Sequence, residues 1–235
     1  MNKYTHNDFK FLTFYSLSHK ELYNTLMRSF GKIYSNNVEI ITKEIQQYSE
    51  SGEYESSGFD VAMLNKIQFI IENINLSDKR PCFFADADII FFKEIDFSPL
   101  NNDIDIAFQD DRYSYCAGQF MFKQNKKVLE FFKIVKDLLL REISNENNKI
   151  HDQTIINRLI KYNTKKTTDL INHSSLDINK YYTIASLTNG TVWDKTLILD
   201  YAKININELI SFHANWTIGI ENKKQIIDIF QKLKK

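Results

Sequence analysis

Residues 82–92 read Cys82-Phe83-Phe84-Ala85-Asp86-Ala87-Asp88-Ile89-Ile90-Phe91-Phe92, an apolar run interrupted by two aspartates. A strand with one face in water alternates apolar and polar residues, and this stretch does not. It reads as a central strand buried on both faces that ends in carboxylates. In open α/β sheets ligands collect outside the carboxyl ends of the strands, so Asp86 and Asp88 are the first place to look for chemistry.

The flanking sequence alternates between strand and helix patterns. Phe9 to Tyr15 is short, apolar and aromatic, and Leu22, Leu26 and Phe30 follow at helical spacing. Val38 to Thr42 predicts a second strand, and Glu44 to Gly58, polar and punctuated by Gly and Ser, a loop. Phe59, Met63, Ile67, Ile70 and Ile74 mark an amphipathic helix with Lys66 near its middle. Ile104 to Phe108 and Gln119 to Phe122 read as strands, separated by Gln109-Asp110-Asp111-Arg112 and Gly118. Val128, Phe131, Phe132, Val135, Leu138 and Leu139 give the clearest helix, Asn145 to Lys149 a polar loop, and Ile155, Ile156, Leu159 and Ile160 a helix beginning near Asp152. Thr167 to Lys195 is irregular; Leu209 to Phe212 predicts a last strand before a helix with Ile226, Ile229, Phe230 and Leu233. Such alternation predicts an α/β sandwich. No repeat, Pro- or Ser-rich linker or long charge block divides the chain, so one domain is expected over residues 1–235.

Composition narrows the function. At 235 residues the chain can bury a sizeable core, and 30 basic against 30 acidic residues leave no global field to attract nucleic acid or an anionic membrane. A small polar ligand fits this balance better than a polyanion. Cys82 and Cys116 lie in apolar segments without C-x-x-C or His spacing, which predicts buried thiols and a reducing compartment. Nowhere do eighteen apolar residues follow one another, so no transmembrane segment is expected. Asn75, Asn172, Asn189 and Asn215 each open an N-x-S/T triplet, and Asn215 falls in a candidate site segment, which argues against a secretory lumen and for a cytoplasmic protein.

Two carboxylates at i and i+2 can reach one cation where a strand end bends. Oxygen ligands at this density suit Mg²⁺ or Mn²⁺, which keep open positions for phosphate oxygens. The triplet alone also arises as an ordinary turn or strand terminus. The apolar flanks weigh against that reading, because carboxylates are rarely buried without a partner or a metal.

Phe83 to Phe91 resembles the Asp-x-Asp strand of GT-A nucleotide-sugar transferases, above all the glycogenin-like and nucleotide-diphospho-sugar transferase families. Other segments fall in the order those families show. Cys116-Ala117-Gly118-Gln119-Phe120-Met121-Phe122 is similar to their small-residue and Gly strand, where close backbone approach lets a sugar lie against the sheet. His151-Asp152-Gln153-Thr154-Ile155-Ile156-Asn157 resembles the helix start whose polar groups face the donor sugar. Phe212-His213-Ala214-Asn215-Trp216-Thr217-Ile218-Gly219-Ile220-Glu221-Asn222-Lys223 resembles the late segment in which the His completes the metal shell and the Lys approaches the phosphates.

The resemblance implies a single GT-A, Rossmann-like α/β domain with a mixed, mostly parallel central sheet flanked by helices. Its nucleotide-binding half would span about residues 1–125 and its sugar- and acceptor-binding half about 126–235. It implies Mn²⁺ or Mg²⁺ held by Asp86, Asp88 and His213, and catalytic roles for Asp152 and Gln153. It further implies a donor site, for a UDP-sugar, drawing on Tyr15, Lys66, Asp86, Ala87, Gly118, Gly219 and Lys223, and transfer with retention to a hydroxyl acceptor. Tyr15 would stack on the base; Tyr113, Tyr115, Trp193 and Trp216 are candidates for an acceptor platform, with residues 161–203 supplying the pocket.

Several readings stay open beside these. Asp152 is also a favoured helix N-cap, Lys66 a candidate solvated helix face, and Asp110 and Asp111 a solvated turn by default, with groups for sugar hydroxyls or a catalytic base as the alternatives. The families commonly carry Asn-Ser where this chain has Cys116-Ala117, which puts the donor sugar in doubt. An Asp-x-Asp phosphohydrolase would want Thr or Val two residues after the second Asp with a Gly nearby, and Asp88 is followed by Ile89 and Ile90. A nucleotide-sugar- or carbohydrate-binding protein without turnover is the nonenzymatic alternative.

Overall fold

The computed structural model describes residues 8–34, 38–48, 56–101, 103–145, 150–162, 170–194, 196–199, 201 and 204–234. Their elements run β1 (Lys10–Ser16), α1 (Lys20–Gly31), β2 (Glu39–Ile45), α2 (Phe59–Asn73), β3 (Cys82–Asp86), β4 (Ile89–Phe91), β5 (Ile106–Asp110), β6 (Tyr115–Phe122) and α3 (Lys126–Ile143). Then come α4 (Asp152–Asn157), β7 (His173–Ser175), β8 (Tyr181–Thr183), α5 (Ile184–Thr188), β9 (Ser211–His213) and α6 (Ile220–Leu233). The main sheet has the order β2-β1-β3-β6-β5-β7. Its β1–β2, β1–β3 and β5–β7 pairs are parallel, whereas β6 runs antiparallel to β3 and to β5. This is the mixed, mostly parallel sheet expected.

The absence of alternation in β3 has a direct cause. Cys82 and Phe84 pack with Leu12, Ile67, Ile70, Phe120, Phe131 and Phe132 in the layer built by α2, α3 and α4. Phe83 and Ala85 point the other way, to Phe11, Leu26, Phe30 and Phe91 beneath α1. Both faces are covered, so every position from Cys82 to Ala85 is apolar. Burial of each such Phe contributes about 1.5–3 kcal/mol. The helix α3 opens on Asn125, whose side chain accepts a hydrogen bond from Val128 N.

The run 82–92 is not one strand. It turns at Ala87-Asp88, and Ile89–Phe91 crosses into a second sheet of order β4-β9-β8. Two carboxylates at i and i+2 are costly to carry on through an apolar interior, and the bend turns both toward one space. Ser29 ties α1 to the new direction: its hydroxyl donates to Leu26 O at 2.8 Å and accepts from Phe91 N at 3.1 Å. Tyr182, Phe212, Ile226 and Phe230 pack the second sheet against α6.

Element edges differ from expectation by a few residues. β2 runs to Ile45 and β5 is displaced two residues toward the C-terminus; part of Thr167 to Lys195 is regular, as β7, β8 and α5. The expected loops at 44–58 and 145–149 and the segment 161–203 lie partly outside the described residues. Both cysteines are free and buried, as expected. No described helix is long and apolar enough to cross a membrane.

Candidate metal centre and donor site

The break between β3 and β4 builds the site. β4 pairs antiparallel with β9 so that Ile89 faces His213, and Ala214 N donates to Asp88 O at 3.0 Å, which extends the ladder one step to Asp88. His213 thereby lands beside the aspartate turn although 125 residues separate it from Asp88 (213 − 88). One ligand atom from each of Asp86, Asp88 and His213 lies within 4.8 Å of the others.

Two observations show that this triad fits a divalent cation. Asp86 Oδ1 is buried without a hydrogen-bond partner, Lys66 Nζ approaching it only to 3.4 Å. Gly118 passes so close that an added Cβ would lie 2.3 Å from His213 Cε1 and 2.6 Å from Asp86 Oδ2. Any side chain there would occupy the space between the ligands, so glycine serves a close approach at this position. Oxygen and imidazole donors suit Mn²⁺ and tolerate Mg²⁺.

Cations of the chain bracket the triad. Lys223, in the first turns of α6, places Nζ 2.5 Å from Asp88 Oδ2, while Asp88 Oδ1 lies 3.1 Å from His213 Nε2. Lys66 is only 2% exposed and lies 2.9 Å from Asp152 Oδ2 as well as 3.4 Å from Asp86 Oδ1. The solvated-face reading of Lys66 is therefore wrong: α2 aims it inward, because two carboxylates wait there. Asp152 is not the cap of α4 either. His151 holds that position, and Asp152, one residue inside, gives one oxygen to Gln153 N at 2.8 Å and the other to Lys66.

The charges tune one another. Burial pushes the Asp88 carboxyl up, but Lys223 and His213 outweigh it and hold Asp88 well below the usual carboxylate range. Burial lowers His213, yet Asp88 pulls it up to about 10. Asp86 is raised to about 6 by burial and by Asp88, against the pull of Lys66. Burial opposes charge on Lys66, but Asp152 and Asp86 more than restore it.

Among the other expected residues, Ala87 is buried in the turn itself and Gly219, at φ 83°, opens α6 and so places Lys223. Gln153 accepts from Ala117 N at 3.3 Å and donates to Ser114 Oγ at 3.1 Å and to Asp111 Oδ2 at 3.4 Å. Tyr15 is not drawn into this cluster: its ring stacks on Tyr23 at 4.0 Å and its hydroxyl donates to Glu44 at 2.8 Å.

Two groups carry no role in the sequence reading, His19 and Gln109, and a third, Asp111, differs from its default reading. Asp111, expected as a solvated turn, is fully buried and also accepts from Ser114 N at 2.7 Å and Trp216 Nε1 at 3.3 Å. It thereby joins the β5–β6 turn to the strained Trp216, whose φ is 52°. His19 lies near enough to Lys223 and Asp88 to feel both; burial and Lys223 lower it to about 4, so it is neutral at pH 7. Gln109 touches His213 directly. A polar residue following the apolar run Ile106-Ala107-Phe108 is the available signal for Gln109; His19 carries none.

The family model for nucleotide-diphospho-sugar transferases matches residues 25–226. No curated protein matches the sequence. Among solved structures, a glycosyltransferase involved in the glycosylation of the major capsid of PBCV-1 is similar at 13% identity and a TM-score of 0.56, covering 94% of this chain and 99% of that one. The apo-form glycosyltransferase GlyE of Streptococcus pneumoniae TIGR4 is similar at 15% identity and a TM-score of 0.58, covering 97% of this chain. A second structure of that GlyE gives 14% and 0.56; in both, this chain spans 60% of the GlyE chain. These likenesses establish the fold, and the family match over 25–226 establishes the kinship: the chain belongs to the nucleotide-diphospho-sugar transferase family and is a glycosyltransferase of GT-A-like architecture.

Proposed function

We propose that the chain is a metal-dependent glycosyltransferase that takes its sugar from a UDP-sugar and passes it to a hydroxyl acceptor with retention. The observation that carries this reading is the convergence of Asp86, Asp88 and His213 within 4.8 Å around the space that Gly118 leaves open. Mn²⁺ or Mg²⁺ bound there would act as a Lewis acid on the departing diphosphate.

The chain's own groups do the rest. Lys223, which pairs with Asp88, would meet phosphate charge from beside the candidate ligands, and its helix presents a positive N-terminal end. Lys66 fixes Asp86 and Asp152 relative to each other, so the ligand shell and the start of α4 are set by one buried cation. Asp152 and Gln153 face the donor sugar in this reading, with Gln153 oriented by Asp111, Ser114 and the backbone of Ala117. Tyr15 remains proposed for the base, which requires it to leave or extend its stack with Tyr23.

Turnover is tested by incubating the protein with UDP-glucose, UDP-galactose and UDP-N-acetylglucosamine in Mn²⁺. Release of UDP that EDTA abolishes supports the reading. Binding without release under every donor condition would favour the nonenzymatic alternative.

The site also predicts a proton count. His213, raised to about 10, is protonated at pH 7.5 and must give up that proton to ligate. Metal binding at pH 7.5 should therefore release about one proton, and affinity should rise by about tenfold per pH unit from roughly 6 toward 10. Below about 6 Asp86 adds a second competing proton, so affinity should fall more steeply. Calorimetry in buffers of different ionisation enthalpy reads the count directly.

A further inference from the structure

Gln109 is fully buried on β5, after Ile106-Ala107-Phe108, where the β5–β6 register shifts between Phe108 and Gln109. The shift leaves Ala117 to Gln119 without direct partners on β5, bringing Gly118 toward His213 and turning Gln109 to the second sheet. A buried amide left unsatisfied costs about 1–3 kcal/mol, so its partners are informative.

Gln109 Nε2 donates to the main-chain oxygens of Tyr181 at 3.2 Å and Tyr182 at 3.4 Å. Both are acceptors only, so the amide nitrogen must be the end that meets them. The opposite end, Oε1, lies 2.8 Å from His213 Nδ1 and can only accept. His213 must then carry a hydrogen on Nδ1, which leaves Nε2, 3.1 Å from Asp88 Oδ1, as the nitrogen turned toward the carboxylates. Cys116 Sγ, at 3.6 Å from Nδ1, is a weaker partner on the same edge of the ring.

We propose that Gln109 is a positioning residue for the metal centre, holding His213 in its Nδ1–H tautomer with Nε2 aimed at the space shared with Asp86 and Asp88. Two backbone carbonyls of β8 set the amide, the amide sets the imidazole, and the imidazole presents its lone pair. The assignment rests on the metal-centre reading above. Partners of this kind typically change metal affinity by about 10–100-fold when removed.

The test compares wild type with Gln109→Leu, of similar volume but unable to accept a hydrogen bond, and Gln119→Leu. Gln119 is also a buried amide across the seam between the sheets, but both ends of it are taken by Ser211 Oγ, at 2.8 and 3.0 Å. Mn²⁺ affinity is read from the free-ion signal in electron paramagnetic resonance, and the His213 tautomer from ¹⁵N NMR of the Mg²⁺-loaded protein. Gln109→Leu should weaken Mn²⁺ by about 10–100-fold and lose the protected Nδ1–H, while Gln119→Leu keeps wild-type affinity and signature. Wild-type affinity with Nδ1–H retained in Gln109→Leu would overturn the assignment, as would equal losses in both variants. If Gln109→Leu does not fold, an Nε2–H tautomer in wild type overturns it. Failure of wild type to bind Mn²⁺ would instead remove the metal-centre reading itself.

Discussion

Asp88→Ala is expected to lower metal-dependent turnover of a UDP-sugar by roughly 1,000-fold or more, a loss in keeping with removing both a ligand and a fixed electrostatic contact. One carboxylate carries three tasks: it is one of three candidate ligands, it holds His213 Nε2 at 3.1 Å, and it anchors Lys223 at 2.5 Å. Without it His213 loses the charge that raised it and can become neutral at pH 7, so the buried imidazole does not remain an unpaired cation. Stability should therefore fall by only about 1–3 kcal/mol, the cost of unsatisfied polar groups, and the fold should survive. Initial rates of UDP release beside thermal unfolding separate the two effects. A variant that unfolds at the wild-type temperature yet keeps wild-type turnover would contradict the role given to Asp88.

Lys66→Met is expected to have the largest effect on stability. The substitution keeps the volume but strips the cation from between Asp86 and Asp152, and breaking a buried ion pair from one side costs about 3–5 kcal/mol. The penalty should depend on pH with a definite sign. Asp86 already has a native pKa of about 6, above its unfolded value, so the native state binds the extra proton and gains stability as pH falls through about 6. Loss of Lys66 raises that pKa further, so the variant should be most compromised above pH 7 and should recover toward pH 5. Mn²⁺, supplying positive charge to Asp86, should stabilise the variant more than the wild type. Denaturant unfolding at pH 5 and pH 8, with and without Mn²⁺, reads all three; equal stability losses at both pH values would sink the ion-pair account.

The reach of the sequence can be judged residue by residue. Cys82 to Phe84 declared a strand covered on both faces because nothing polar interrupts it, and the two-layer packing of Cys82 and Phe84 against Phe83 and Ala85 is the reason. Asp86, Asp88, His213, Gly118 and Lys223 are legible as candidates in the sequence, and the structure gathers them. Of the second sheet only β9 is foreshadowed, by Leu209 to Phe212; β4, β8 and β9 have three residues each, too few to express a period, and their pairing joins segments far apart in sequence. For the same reason the run 82–92 read as one strand, since hydrophobicity does not distinguish a strand that continues from one that changes sheets.

The partners of charged residues were equally hidden. Lys66 on an amphipathic helix looks like a surface lysine until the positions of Asp86 and Asp152 are known, and Asp111 looks like a turn residue until Ser114, Gln153 and Trp216 are seen to close over it. Short-range pattern reports which face of an element is apolar. It does not report which polar groups meet across the interior, and that meeting defines this site.

The most direct test of the central claim is calorimetric titration of UDP, with GDP as control, into wild type and Asp88→Ala in the presence and absence of Mn²⁺. The account predicts that wild type binds UDP in Mn²⁺, that binding is weakened or lost without the ion and in the variant, and that GDP binds less tightly. UDP binding of equal strength with and without Mn²⁺ and in both proteins would contradict it, as would no nucleotide binding at all, and Asp86 and Asp88 would return to being an ordinary strand end.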